Sequence, residues 1–460
     1  MKIISLSFFD ISKKAKIRHY FINKSSHRIV ISAMFSLIIN LFYALYHGIL
    51  GIRTLSLWFL VMFVYYTILA VTRFSAVLCS YQNRTVYFLD TEYFVMKISG
   101  ILLMMLSLIL IAIIYISMSQ NIITKYNEIT MITIAAYTFT KRALEAGKSV
   151  CTSNKALVAK YGPELMEIAK EKKINFLFEA SCGGGIPIIR AINGSLTADE
   201  IDEVSGILNG TTNYMLDKMI TEGADFNTVL KEAQEKGYAE ADPTADVEGQ
   251  DACRKIAILS SLAYGKFLNF ENVYTEGITK ITPEDMEYAR EMGRSIKLLG
   301  TSKKLGDDSF YALVAPFLVG QENPLYGVKG VFNSIFVHGN MLGDAMFYGS
   351  GAGKLPTASA VVADVVEAAK HLHDTIPNNW SNEEMTLMEP DSVEGRFFVR
   401  VKDTSLDEVD KAFGKVEAVI EPDSLPEEFG FITRLMTQGE YKERVKALGE
   451  NVLGMIRVKD

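Results

Sequence analysis

The chain has 460 residues, enough for two or three domains, and 49% of them are hydrophobic. Its charge is divided unevenly: residues 1–140 hold 12 Lys/Arg against 4 Asp/Glu, a net of +8, and the remainder holds 35 against 50, a net of −15. That division excludes a uniformly soluble globule, and the acidic remainder argues against nucleic acid as a partner.

The first third reads as membrane. Three stretches without Asp, Glu, Lys or Arg, Ile29–Ile52, Thr54–Thr72 and Ile98–Thr124, run 24, 19 and 27 residues, against the ~20 that a spanning helix needs. Soluble helices buried in a core are the alternative. Lys13, Lys14, Lys16, Arg18, Lys24 and Arg28 precede the first span, and Arg73, Arg84 and Lys97 lie between the second and third. Basic residues mark cytoplasmic loops, so the expectation is N-in with three crossings and the lipid bilayer as a partner. This topology puts residue 125 onward outside, because the uncharged run Ile129–Thr140 is too short to cross.

From Ala143 the pattern becomes α/β. Ser149–Thr152 reads as a short strand, Lys155–Lys172 as a helix containing Pro163, and Ile174–Ala180 as a strand ending in Gly183–Gly185. Strand, helix, strand and Gly-rich turn make half of a doubly wound sheet, whose ligands sit beyond the carboxyl ends of the strands. A glycine triplet there is either a tight turn or a place where backbone approaches a nucleotide or ion. Residues 237–251 then bring five carboxylates within 12 residues, which composition alone reads as a solvated loop. They enter an apolar helix, Asp251–Tyr264, on which Asp251 and Lys255 share one side at i, i+4. An exposed pair of that kind contributes little. A buried pair is costly unless it serves a site, where the lysine can clamp substrate or donate a proton. Cys79, Cys151, Cys182 and Cys253 lie far apart without CxxC spacing, so no disulfide framework or zinc site is indicated and a reducing compartment is the default.

Residues 143–370 resemble homoserine dehydrogenase. The resemblance rests on ALEAGKSVCTSNKALVAKYG, FEASCGGGIPIIRAING, ILNGTTNYML, GYAEADPTADVEGQDACRKIAILSSLAYG and MFYGSGAGKLPTASAVVADVVEAA, which occur in the family's order. It implies an NAD- or NADP-dependent oxidoreductase that interconverts L-aspartate 4-semialdehyde and L-homoserine. It implies Lys255 as the acid–base residue, Asp251 as its orienting partner, and Lys155 as a second lysine facing substrate and nicotinamide. Without the family, Lys155 reads as a surface lysine at a helix start. Tyr238, Glu240 and Asp246 match the substrate-binding residues, the two acids receiving the substrate ammonium. Asn154, Lys155, Gly183, Gly184, Gly185, Asn209, Gly210, Thr211, Gly351 and Gly353 match segments that line the cofactor. The run Gly349–Gly353 otherwise reads as a flexible hinge. Glu179, Cys182 and Gly184 match a strand–loop whose backbone carbonyls hold a monovalent cation, usually Na+; otherwise it is a glycine turn. A homo-oligomer is implied as well.

The family pattern is broken at its start. Residues 1–140 contain no G-x-G-x-x-G, the motif that brings backbone to the pyrophosphate at a helix N-terminus. Two unrelated coding regions are therefore expected to meet near Ala136–Lys141, leaving a chain that binds NAD(P) poorly and turns over weakly. The expected order is a transmembrane segment (1–140), a remnant of a Rossmann-like α/β domain (141–185), an α+β catalytic domain (186–370) and a linker (371–393). The tail, 394–460, reads as β (Glu394–Lys402), α (Leu406–Phe413), β (Val416–Glu421), β (Phe429–Met436), α (Tyr441–Leu448) and β (Val452–Val458). That order is ferredoxin-like and resembles an ACT regulatory domain. Threonine is the effector implied, and a structural dimerisation module is the alternative. The catalytic part is expected in the cytoplasm and the chain at the membrane. Three functions follow: a homoserine dehydrogenase, a polytopic membrane protein carrying an inactive fragment, and an amino-acid-sensing module.

Overall fold

The computed structural model describes residues 37–49, 62–71, 74, 104 and 128–459, except 307 and 379. The chain falls into two units, Met1–Asn127 and Glu128–Asp460. In the first, residues 37–49 and 62–71 are helical, and the rest of the first two expected spans lies outside the described residues. Among the described residues no helix is long and apolar enough to cross a membrane. The three-span expectation, its N-in topology, the bilayer partner and the polytopic alternative therefore have no support there. Apart from residue 104, the third expected span lies outside the described residues. Between these two stretches Tyr66 stacks on Tyr43 and on His47 at 5.2 and 5.4 Å between ring centroids.

The second unit begins with α1 (Glu128–Glu145), a single helix running through the expected join at Ala136–Lys141. It docks on α2 (Lys155–Lys172). Tyr137 stacks on Tyr161 at 4.2 Å, and the Glu164 carboxylate accepts from Tyr137 Oη at 2.9 Å and Lys141 Nζ at 2.6 Å. Residues of α1 upstream of 141, Tyr137 among them, thus pack against α2. Asn154 caps α2 by accepting from the Leu157 N–H at 3.0 Å, and the helix ends where Lys173 turns left-handed at φ 54°.

Beside these helices β1 (Val150–Cys151) and β2 (Phe176–Leu177) pair in parallel. Among the described residues these two strands are all of the doubly wound sheet. The strand expected over Ile174–Ala180 is shorter because the chain coils at Glu179–Ser181. There the Glu179 carboxylate accepts the N–H groups of Ile189 and Arg190 at 2.8 and 3.0 Å, capping the next helical turn.

The frame of the unit is an 11-stranded sheet. Outside the tail its strands are β3 (Ile201–Ile207), β5 (Ser295–Lys304), β6 (Phe310–Val319), β7 (Phe332–Gly339) and, at the end, β8 (Gly343–Ser350), with β4 (Tyr274–Thr275) added along β6. Helices α3 (Gly210–Glu222), α4 (Phe226–Glu235), α5 (Gln250–Tyr264), α6 (Pro283–Glu291) and α7 (Lys354–Lys370) complete the core. Strands β5 and β6 are buried on both faces, which is why they read as near-continuous apolar runs. Gly300 on β5 lets α5 press close: a Cβ there would lie 3.1 Å from the Ile256 Cβ. On the opposite face Leu299, Leu313 and Phe317 pack under Leu325 and Val328 of the β6–β7 connection.

The tail comprises β9 (Glu394–Lys402), α8 (Leu406–Phe413), β10 (Ala418–Ile420), β11 (Glu428–Ile432), β12 (Met436–Thr437), α9 (Gln438–Val445) and β13 (Val452–Lys459). Capping boxes start both helices, Ser405 with Glu408 and Thr437 with Glu440. The spatial order β13-β9-β11-β10 is that of a ferredoxin-like βαββαβ unit. The tail is not a separate bead, because β13 pairs in parallel with β6, Arg457 opposite Phe317. Buried ion pairs reinforce the seam. Arg400 on β9 donates to Asp285 of α6 at 2.8 Å and to Glu428 at 3.0 Å, and Arg457 donates to Glu276 at 2.8 Å. Lys459 and Lys303 share Glu203 at 2.6 and 2.8 Å; they outweigh its burial and hold its carboxyl down at about 2. Replacing Arg400 with Met strands two buried carboxylates, so urea unfolding should show a loss of about 3 kcal/mol.

Candidate active site

The site is built where β3 ends and α5 begins. Asp251, in the first turn of α5, is buried and sits between two lysines. Lys255 Nζ lies 2.8 Å from Asp251 Oδ2, and Lys155 Nζ lies 2.9 Å from Asp251 Oδ1. Asn209, just after β3, donates from Nδ2 to Asp251 Oδ2 at 2.9 Å and to Asp246 Oδ1 at 2.8 Å. The other face of the same carboxamide caps α3, accepting from the Thr212 N–H at 2.9 Å. Lys255 also donates to the Leu208 carbonyl at 2.6 Å. An ammonium has three N–H donors; two of those on Lys255 are committed, which aims the third.

Burial alone pushes the Asp251 carboxyl up, but Lys255 and Lys155 outweigh it and hold the group well below the usual carboxylate range. Burial pulls Lys155 down, and Asp251 overcomes it, leaving the ammonium above its ordinary value. Asp246 is raised by its own burial and by the Asp251 charge. The three form a linked set: one fixed anion, a cation held charged beside it, and a second acid whose charge is strained until a cation arrives.

The remaining residues divide. Thr211 donates to the Tyr238 carbonyl at 2.6 Å, and the half-exposed Tyr238 ring meets Tyr214 edge-on at 5.0 Å. Glu240 is exposed, engaged through its backbone carbonyl by Gln234 at 3.1 Å, and stands outside the Asp251 network. Asn154 uses its side-chain oxygen as the α2 cap.

The glycines form a cradle. Gly183 and Gly184 take φ of 66° and 56°, and Gly353, ahead of α7, takes 114°. A Cβ on Gly184 would come within 2.5 Å of the Gly351 carbonyl, and one on Gly210 within 2.5 Å of the Val331 carbonyl. Gly185 N–H donates to the Ser350 carbonyl at 3.1 Å. The segments 183–185 and 349–353 thus approach at backbone distance, and Gly210 makes a like approach to Val331, close backbone of the kind that suits a flat cofactor ring or a phosphate. Among the described residues no cluster of His, Cys, Asp and Glu side chains could hold a metal ion. Burial pushes the Cys182 thiol up to about 12, leaving it neutral.

Sequence reasoning assigned no role to Asp364. Asp364 of α7 accepts from the Glu179 N–H at 3.0 Å and from Arg190 Nη2 at 2.5 Å, tying α7 to the glycine turn. Its signal was present: a single acid inside the apolar run 358–366.

Residues 187–366 match the family model for homoserine dehydrogenase. The homoserine dehydrogenase of Neisseria gonorrhoeae is 47% identical over 229 residues, covering 50% of this chain and 52% of the relative. That of Mycobacterium bovis is 40% identical over 329 residues, covering 67% and 75%. A crystal structure of a homoserine dehydrogenase from Thiobacillus denitrificans superposes with a TM-score of 0.66 at 35% identity, covering 71% of this chain and 79% of that one. The chain spans little more than half the length of several of the curated relatives it matches.

Burial pushes the Glu179 carboxyl up from 4.5 to about 7, against the N–H groups of Ile189 and Arg190 that favour its charge. The folded state therefore holds this proton more tightly than the unfolded chain. Its contribution to stability is complete below pH 4.5 and is lost as pH rises to about 7. Chemical denaturation across that range should show the decline in the native chain and a flatter profile in Glu179→Gln.

Proposed function

The chain belongs to the homoserine dehydrogenase family, and from that premise we propose that it interconverts L-aspartate 4-semialdehyde and L-homoserine with NAD or NADP. The carrying observation is the Asp251 carboxylate clamped between Lys255 and Lys155 next to Asn209 and Asp246. Asp246, on the edge of the cleft, receives the substrate ammonium, and Tyr238 and Glu240 close the substrate loop over it. Lys155 holds an oxygen of the substrate. The third N–H of Lys255 faces the carbonyl oxygen and delivers its proton in the reducing direction, retrieving it in the oxidising one. Asp251 keeps both lysines oriented and charged.

The glycine segments 183–185, 210–211 and 351–353, with Asn154, Asn209 and Lys155, border the cofactor, which when bound supplies or accepts the hydride at the aldehyde carbon. The backbone carbonyls of Glu179, Cys182 and Gly184 are the proposed ligands of a sodium ion. Turnover is proposed to be weak, because the cofactor side of the sheet has two strands among the described residues.

Purified full-length protein with homoserine should reduce NADP+ or NAD+, and Lys255→Ala should lower kcat by about 10²–10⁴-fold. Activity undiminished in that variant refutes the acid–base role, and no homoserine-dependent reduction by the native chain refutes the enzyme reading.

Two partner roles follow from shape. The ferredoxin-like order of the tail supports an ACT-like effector module, with threonine as the candidate ligand. Strand β8, at the end of the sheet, exposes Met346 and Tyr348 with Phe332 of β7 beside them, and a second copy is the proposed cover. Tyr348→Lys should shift the chain to a smaller species in light scattering.

A further inference from the structure

Asn333, outside every sequence motif named above, stands against the glycine cradle. It lies on β7 and is 1% exposed, and among the described residues neither Oδ1 nor Nδ2 has a hydrogen-bond partner. A buried carboxamide left unpaired is costly, and such groups in native proteins have a partner that is protein, water or ligand. Its surroundings indicate which. A Cβ placed on Gly351 would fall 2.0 Å from the Asn333 amide carbon, so only the bare backbone of the Gly351–Gly353 turn lies over the group. On its other side Oδ1 would be 3.4 Å from a Cβ on Gly210, at the start of α3 and one residue from Asn209. Asn333 thus stands where two of the cradle segments meet, within the same short stretch of structure that holds Asp251 through Asn209.

We propose that Asn333 is a cofactor-positioning residue whose side-chain amide pairs with the carboxamide of the nicotinamide ring. Both groups carry one carbonyl acceptor and one NH2 donor, so two hydrogen bonds form: Asn333 Nδ2 donates to the nicotinamide oxygen, and the nicotinamide NH2 donates to Asn333 Oδ1. The pairing fixes the rotation of the ring about its glycosidic bond and hence which face meets the substrate. The inference rests on the proposed use of NAD(P) and adds the residue that recognises its reactive end.

The test compares two ligands by saturation-transfer NMR titration on the full chain, a readout of binding without turnover. One is NADP+, and the other its 3-acetylpyridine analogue, in which a methyl ketone replaces the carboxamide and the NH2 donor is lost. The native chain should prefer NADP+ by about tenfold, the worth of one buried hydrogen bond. Asn333→Ala should bring the ratio close to one. A native ratio near one overturns the proposal even if the variant fails to fold. So does a variant that weakens both ligands equally and keeps the ratio, since that is a structural role. Binding of neither ligand to the native chain overturns the cofactor reading together with the proposal, whereas binding of both without discrimination overturns the proposal alone.

Discussion

Everything chemical in this molecule hangs on one buried carboxylate with too many cations. Asp251 is surrounded by Lys255, Lys155 and the Asn209 amide, and each comes from a different part of the chain: α5 itself, the start of α2, and the end of β3. A charge in such a place is tolerated only when its neighbours are held at hydrogen-bond distance. The fold has therefore to bring β3, α2 and α5 to one point, and the constraint runs outward from there. Asn209 can bridge Asp246 and Asp251 only because it also caps α3. The start of α5 is fixed by Gly249 at φ 79°, seated against Thr275 and Val314 of the sheet.

The sheet carries that constraint to the far end of the protein. Strand β3 leads directly into Leu208 and Asn209, and its Glu203 is gripped by Lys303 from β5 and Lys459 from β13. The tail and the active site thus share a strand. The tail's own core of Phe397, Val399, Phe413, Phe431 and Tyr441 is compact enough to form separately. Its attachment through β13 and β6, Arg400 and Arg457 nevertheless makes it part of the frame that sets where β3 points.

How much of this was legible depended on the distance between partners. The Asp251–Lys255 spacing, the α2 and α8 bounds and β9 could be read because helical period, caps and strand alternation are local properties. The Asn209 bridge could not, since Asp251 lies 42 positions away and nothing local marks the pairing. Glu240 and Asp246 looked alike in one acidic loop, yet only Asp246 turns inward, on the helical turn Thr244–Val247. The strand at 174–180 was overread because its apolar pattern continues past the point where Glu179 turns to cap another segment. The apolar first third was read from its uncharged runs and the basic residues between them, and most of it lies outside the described residues. At 136–141 composition changes abruptly while the backbone does not, since α1 crosses those residues without a break.

The parallel pairing of β13 with β6 has a consequence for synthesis. Strand β6 is complete at Val319 and its partner begins at Val452, roughly 130 residues later, which at ~5–20 residues per second is on the order of ten seconds of translation. Throughout that interval the Phe317–Val319 stretch of this apolar strand lacks its partner, the short β4 covering that edge only at Leu313 and Val314, and such an edge is a template for adhesion to any neighbouring chain. A nascent chain of this design needs either a chaperone at that edge or a temporary partner of its own. A polypeptide cut short before β13 never loses the liability, so premature termination should leave aggregates rather than a smaller working enzyme.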